Sequence, residues 1–272
     1  MSQRTWPIVI GGCHRSGTSL LRRVLNAHSA IHCGPEVKFF RDFYGHYAGD
    51  PWADFRFFAT ARALVAERDL LAIAGAAFVA IHERAAARAG KRRWADKTPE
   101  NVLHLADWHD ILGDRWTFVH VVRHPLDTLA SIKETAFRRT LPADLDGRIA
   151  WYRRFTQAGL EFGATTPDRY RRVVYETLVT GPEAGVRSLM IGLDEPPEPG
   201  QLAFNDRPQQ SGLEDPKVSR TTGVHAESVG RWRTVLTEDE AREIWDGTKD
   251  LWSQIDPDGS AGAPDPSHEA QV

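Results

Sequence analysis

Cysteine is almost missing. Two residues in 272, Cys13 and Cys33, are too few for a disulfide framework or a four-cysteine zinc site, and the usage suits a reducing, cytoplasmic compartment. A secretory leader is missing as well: after Met1-Ser-Gln-Arg-Thr-Trp-Pro comes a short apolar run with no small-residue cleavage site, so export by that route is not expected. The longest apolar run, Leu70 to Ile81, has twelve residues and contains Gly75, well short of the roughly 20 needed to cross a bilayer. It reads as a buried helix, and no membrane insertion is expected. Neither charge sign is in excess. Lys and Arg total 34 against 37 Asp and Glu, a net of −3, which leaves no electrostatic footprint for nucleic acid. Lysine is scarce beside arginine, 6 against 28, a bias that carries no functional argument. No internal repeat of solenoid period occurs.

What is there supports a folded protein. Hydrophobic residues make up 41% and charged residues 26%, enough to build a sizeable core, and 272 residues suit one large domain. The run from Asp256 through Ser267 lacks apolar periodicity, so a folded domain is expected over 1–255 and a disordered tail over 256–272. Before it, apolar runs predict strands at Pro7–Gly11, Trp116–Arg123 and Tyr170–Tyr175. Amphipathic stretches predict helices at Ser16–His28, Arg62–Arg88, Asn101–Leu112, Leu126–Phe137, Arg148–Phe162, Pro182–Ile191 and Thr237–Asp246. Strands alternating with helices imply an α/β fold, a central parallel sheet covered on both faces in three α/β/α layers. Between Glu195 and Val224 no period is visible. That segment carries Lys217, Ser219 and Arg220 and reads as a solvated loop or a functional one.

The first predicted strand runs into Gly12-Cys13-His14-Arg15-Ser16-Gly17-Thr18-Ser19, the spacing G-x-x-x-x-G-x-[ST] of a phosphate-binding loop with Thr18 in the place of its lysine. A strand, a glycine turn and a helix N-terminus aim backbone N–H groups and the helix dipole at an anion. An ordinary strand-to-helix connection reads the same way from this motif alone. Without the lysine that reaches the outer phosphates, nucleoside triphosphate hydrolysis is disfavoured, and Arg15 offers another cation. Ile8-Val-Ile-Gly-Gly-Cys-His-Arg-Ser-Gly-Thr-Ser-Leu-Leu resembles the 5′-phosphosulfate loop of the sulfotransferases, whose donor is 3′-phosphoadenosine 5′-phosphosulfate (PAPS). The resemblance implies donor contacts from His14, Arg15, Ser16, Gly17, Thr18 and Ser19, and a P-loop-type fold.

That family also binds the donor's 3′-phosphate through an arginine at a strand end and a serine eight residues later, and Phe118-Val-His-Val-Val-Arg123-His-Pro-Leu-Asp-Thr-Leu-Ala-Ser131 supplies both. A guanidinium donates bidentately to phosphate, and a hydroxyl two helical turns on can face the same side. Three shorter matches follow: Tyr175 in Val174-Tyr-Glu-Thr-Leu, the donor-contacting stretch Lys217-Val-Ser219-Arg220, and a closing segment Val229-Gly-Arg-Trp232.

The general base needs separate treatment. Sulfotransferases of small phenols use a histidine after Lys-Thr, but here the stretch is Asp96-Lys97-Thr98-Pro99-Glu100. The layout instead resembles the tyrosylprotein sulfotransferases: Gly11-Gly12-Cys-His-Arg15-Ser-Gly-Thr, then Ala27-His28, then Cys33-Gly34-Pro35-Glu36, with Glu36 twenty-one residues after Arg15. By that resemblance Glu36 is the base, while Lys97 and Arg15 steady the transferring group. Lys38 and Arg41 could meet an acidic peptide or be an ordinary solvated turn. The family's serine near the closing tryptophan is displaced, with Ser228 the nearest hydroxyl. No metal site is expected. The expected partner is a hydroxyl-bearing acceptor, small molecule or peptide, with a phenol ranked slightly above a sugar or aliphatic alcohol; the sequence leaves the oligomeric state open. A nucleotide kinase and a non-catalytic nucleotide-binding protein are the rival readings.

Overall fold

The computed structural model describes residues 5–45, 57–135, 141–206 and 223–259. Five strands, β1 (Ile8–Gly12), β2 (Ile31–Cys33), β3 (Arg93–Lys97), β4 (Thr117–Val122) and β5 (Tyr170–Val174), form one parallel sheet in the order β2-β3-β1-β4-β5. Val9 of β1 pairs with Asp96 on one side and Phe118 on the other. Every residue of the four strands β1 to β4 is buried, because parallel strands are joined by crossovers that cover both faces.

One face is covered by α1 (Thr18–Asn26), α8 (Tyr175–Thr180) and α9 (Pro182–Gly192), whose Leu21, Leu25, Leu178 and Met190 join Ile8, Ile10 and Val119 of the sheet. The other face carries α4 (Glu67–Arg88), α5 (Leu105–Leu112), α6 (Pro125–Lys133), α7 (Leu145–Thr165) and α10 (Glu238–Ile255) around Val9, Phe118, Trp108 and Phe155. Two short helices, α2 (Phe39–Tyr44) and α3 (Phe57–Ala61), lead into α4. The expected three-layer α/β/α architecture with a parallel sheet is therefore the observed one. By length and composition α4 could cross a membrane, yet Leu70, Leu71, Ala74, Phe78 and Ala86 of its inner face are packed into the core.

Several expected boundaries shift for local reasons. The helix expected from Arg62 begins at Glu67, with Glu67 and Asp69 favouring the positive end of the helix dipole; Arg62 instead donates to the carbonyls of Phe58 and Phe43, both at 2.9 Å. The stretch from Asn101 opens in a 3₁₀ turn at Pro99–Leu103 before α5 starts at Leu105. α7 starts at Leu145 because Asp144 caps it, accepting from the Gly147 N–H at 2.7 Å. α10 continues past Asp246 to Ile255, opened by a capping box in which Thr237 and Glu240 bond each other's backbone N–H. Phe137, the Lys217–Arg220 stretch and the tail from 260 lie outside the described residues.

Two strands, β2 and β3, have no counterpart among the predicted elements. β2 has three residues, and β3 is Arg93-Trp-Ala-Asp-Lys97, three of whose five side chains are charged and all of which are buried. Arg93 is held by the carbonyls of Trp6 and Leu193 and by Glu195, which offsets the desolvation of its guanidinium. Both cysteines are free and buried, Cys33 in β2 and Cys13 just beyond β1.

α7 crosses β4 closely at Gly159, where a Cβ would sit 2.3 Å from the buried ring of His120, itself bonded to the Tyr170 hydroxyl at 2.9 Å. Gly159→Ala is therefore expected to destabilise the fold by about 1–3 kcal/mol through overpacking. A urea midpoint equal to that of the parent protein would show that α7 and β4 separate freely.

Candidate active site

The C-terminal ends of all five strands point to one edge of the sheet, and each leads into a residue singled out from the sequence. The order of strands reverses at β1, which places a crevice beside its end, the general location of ligand sites in open α/β sheets.

At the end of β1 the chain turns into α1 through two glycines that no other residue could replace cheaply. Gly12, at φ 152°, has no room for a Cβ beside the Val121 carbonyl, and Gly17, at φ 98°, has none beside the Tyr175 ring. Arg15 also adopts a positive φ, 69°. Positive φ at alternate residues is the kind of backbone from which an anion-binding nest is built, although here the Ser16 N–H donates to the Cys13 carbonyl at 3.2 Å. Ser16 is fully buried and its Oγ has no partner, an unsatisfied hydroxyl inside the loop.

At the end of β4, Arg123 ties three distant segments together. Nη1 donates to the Arg15 carbonyl at 3.1 Å, Nη2 donates to the Ser228 carbonyl at 2.5 Å, and the guanidinium lies 4.5 Å from the centre of the Tyr175 ring. Its Nε is buried without a partner, and no carboxylate forms an ion pair with it among the described residues. The Arg123 backbone is held in turn: the Tyr152 hydroxyl donates to its carbonyl at 3.0 Å, and Glu176 accepts from the following His124 N–H at 3.0 Å. Ser131, two turns along α6, accepts from Arg15 Nε at 3.0 Å. Arg15, Gly17, Arg123, Ser131 and Tyr175 thus line one cleft together with Asp127, Glu134, His225, Ser228 and Arg231.

A second cluster lies on the other side of α1. Arg22 donates to the carbonyls of Cys33 and Gly34 at 3.4 and 3.3 Å, and Asn26 accepts from the Cys33 N–H at 3.1 Å, which fixes the turn leading from β2 to Glu36. Lys97, at the end of β3 and almost wholly buried, donates to Glu36 and lies 3.4 Å from Ser19 Oγ. Lys38 approaches the other Glu36 oxygen at 3.5 Å, so its charge is directed at Glu36 rather than outward. Ser19 belongs to the same helix N-terminus as Gly17 and links the two clusters.

Other expected positions are placed differently. The His14 ring packs on Trp151 and Phe155 of α7 and meets Glu100 at 3.3 Å, and His14 is not among the residues that line the cleft. Burial by itself would raise the Glu100 carboxyl, but His14 and nearby hydrogen bonds hold it down at about 2. Lys217, Ser219 and Arg220 lie outside the described residues.

Three residues that sequence reasoning passed over also shape the site: Tyr152, Glu176 and Asp127. Asp127 sits four residues from both Arg123, which precedes α6, and Ser131, one turn further along that helix, a spacing that could have singled it out. Glu176 follows Tyr175 in the noted tetrapeptide. It is fully buried, one oxygen has no partner, and burial pushes its pKa up to about 7 against the pull of the His124 N–H and Arg123.

A group whose pKa is raised by folding stabilises the folded state fully below its unfolded pKa and loses that contribution as pH rises through the folded value. Ionising Glu176 should therefore weaken the fold between about pH 4.5 and 7. Glu176→Gln keeps an acceptor for the His124 N–H without the titration, so its melting temperature should gain on the parent's across that window. A constant difference between the two proteins would contradict a buried, protonating Glu176.

Comparison with known proteins gives these geometries a context. A family model described as the sulfotransferase family matches residues 7–199. Nodulation protein NoeE of Sinorhizobium fredii is 26% identical over 265 residues, covering 86% of this chain. The chain spans 62% of that relative's length. Among solved structures, the sulfotransferase domain of the Synechococcus PCC 7002 olefin synthase superposes with a TM-score of 0.63 at 21% identity, over 89% of this chain and 94% of that one. Mouse sulfotransferase SULT7A1, complexed with PAP, superposes with a TM-score of 0.50 at 14% identity, over 96% of this chain and 88% of that one.

Proposed function

This chain belongs to the sulfotransferase family, and from that premise we propose that it transfers a sulfuryl group from PAPS to an acceptor hydroxyl, with Glu36 as general base. The observation that carries the donor assignment is Arg123: a buried guanidinium without a carboxylate partner among the described residues, its Nε unsatisfied, beside a cleft that also holds Arg15 and Ser131. A buried cation left in that state is suited to an incoming phosphate. The orphaned Ser16 hydroxyl in the β1–α1 turn fits a second anionic group. The mouse relative complexed with PAP, the desulfated nucleotide, supports the same donor here.

When bound, PAPS supplies the activated sulfuryl group, and the chain's own residues do the rest. The β1–α1 turn and Arg15 would orient the phosphosulfate end, while Arg123 and Ser131 would hold the 3′-phosphate. Lys97 stands as a buried cation against Glu36. Drawn toward the negative charge of the transferring group, it would stabilise the transition state and release Glu36 to accept the acceptor's hydroxyl proton. Such an exchange of partners keeps a buried charge compensated throughout. A phenolic acceptor, with a pKa near 10, asks less of a carboxylate base than an alcohol does, which favours a phenol or tyrosyl side chain in this reading.

PAP, the 3′-phosphorylated product of the donor, should raise the melting temperature of the protein by mass action, and AMP, which lacks the 3′-phosphate, should do so far less. Arg123→Ala should erase the difference; equal responses to PAP and AMP in the parent protein would remove the 3′-phosphate assignment. Glu36→Gln should leave PAP binding intact while turnover of labelled sulfate falls by about 10²–10⁴-fold. Near-normal turnover in that variant would transfer the base role elsewhere.

A further inference from the structure

We propose that Asp127 is a positioning residue for the nucleotide: it latches the 228–232 segment over the donor cleft, an inference that rests on reading this cleft as the PAPS site. Asp127 is the third residue of α6 and is buried. Its Oδ2 accepts from the Gly230 N–H at 2.7 Å and its Oδ1 from the Trp232 N–H at 2.9 Å. These two residues open a single 3₁₀ turn, Arg231–Thr234, whose own N-cap, Gly230 at φ 74°, supplies no side-chain cap. The carboxylate of another helix thus caps this turn, satisfying two donors that would otherwise be orphaned.

Residues flanking α6 at its two ends make the neighbouring attachments. Arg123 donates to the Ser228 carbonyl at 2.5 Å, and Glu134 pairs with Arg231 at 2.6 Å. Residues 123, 127 and 134 therefore stitch the segment from Ser228 to Trp232 onto the helix that also carries Ser131. Ser228 and Arg231 line the cleft, so the placement of that part of its lining depends on this attachment. The segment is joined to α6 across more than a hundred residues of chain, and no strand or long helix of its own holds it there.

Charge makes the proposal testable by sign. A carboxylate beside a site for a 3′-phosphate repels that ligand, so removing its charge alone should tighten binding. If the latch governs, Asp127→Asn should weaken binding, because the amide retains one accepting oxygen and turns its own N–H groups toward the other backbone donor.

The experiment measures PAP binding by calorimetry and tryptic cleavage after Arg231 and Arg233 in the ligand-free protein. Asp127→Asn is expected to raise the PAP dissociation constant about tenfold, the loss of one charge-assisted hydrogen bond, and to speed cleavage several-fold with unchanged far-UV circular dichroism. The donor KM should rise by the same factor while kcat at saturating donor stays within about threefold of the parent. Gly230→Ala strains the same turn from the other side without touching α6 and should give the same phenotype, which keeps the test open if Asp127→Asn fails to fold. PAP binding that is unchanged or tighter in these variants, with parental cleavage rates, overturns the latch. A parent protein that ignores PAP would overturn the donor reading instead, and the cleavage comparison would still decide whether Asp127 holds the segment.

Discussion

The guanidinium of Arg123 is the interaction around which the site is assembled. Burying a cation is costly unless its donors are satisfied, and among the described residues this one is met by two carbonyls and the face of an aromatic ring rather than by a carboxylate, with Nε left unpaired. Those partners come from residues 15, 228 and 175, so one side chain fixes the β1–α1 turn, the segment before α10 and the start of α8 relative to one another. Neutral partners leave the positive charge uncancelled. Two buried acids near it are engaged with backbone N–H groups instead, Glu176 with His124 and Asp127 with Gly230 and Trp232. Acidic side chains close to Arg123 thus support the peptide backbone around the cation without neutralising it.

A parallel sheet imposes the second constraint. Because all strands run the same way, their ends gather along one edge, and the edge receives Gly12, Glu36, Lys97, Arg123 and Tyr175 from five different strands. The two clusters divide the electrostatics between them. Around Arg123 the charge is left open for an anion; around Glu36 it is closed by Lys97, with Lys38 near the second oxygen. In the proposed reaction a negatively charged donor would rearrange the second cluster and not the first. The buried network behind Lys97 is consistent with a rigid support: Asp96, its neighbour on β3, accepts from Asn101 at 2.8 Å, and burial raises its carboxyl to about 6.

Local grammar was enough for much of this. Apolar runs located β1, β4 and β5, period located α1, α6, α7 and α9, and the glycine spacing of residues 12–17 located the β1–α1 turn. The strand-end Arg123 and the serine two helical turns later were visible because strand end and helix face are both properties of short sequence. β3 was not visible, since Arg93, Asp96 and Lys97 have the composition of a surface loop. Their burial depends on Trp6, Leu193, Glu195, Glu36 and Asn101, which come from separate parts of the chain. β2, at three residues, falls below the length at which a pattern exists.

The sequence by itself thus determined the α/β class, the order of the main elements and the candidates Arg15, Glu36, Lys97, Arg123, Ser131 and Tyr175. Tertiary structure decided which charges face which. It turned the His14 ring onto α7 and Glu100, paired Lys97 with Glu36, and gave Asp127 and Glu176 backbone donors to hold. The physical reason is that periodicity and turn chemistry act over a few residues, whereas the fate of a buried charge is set by whichever partners the topology brings within about 3 Å of it.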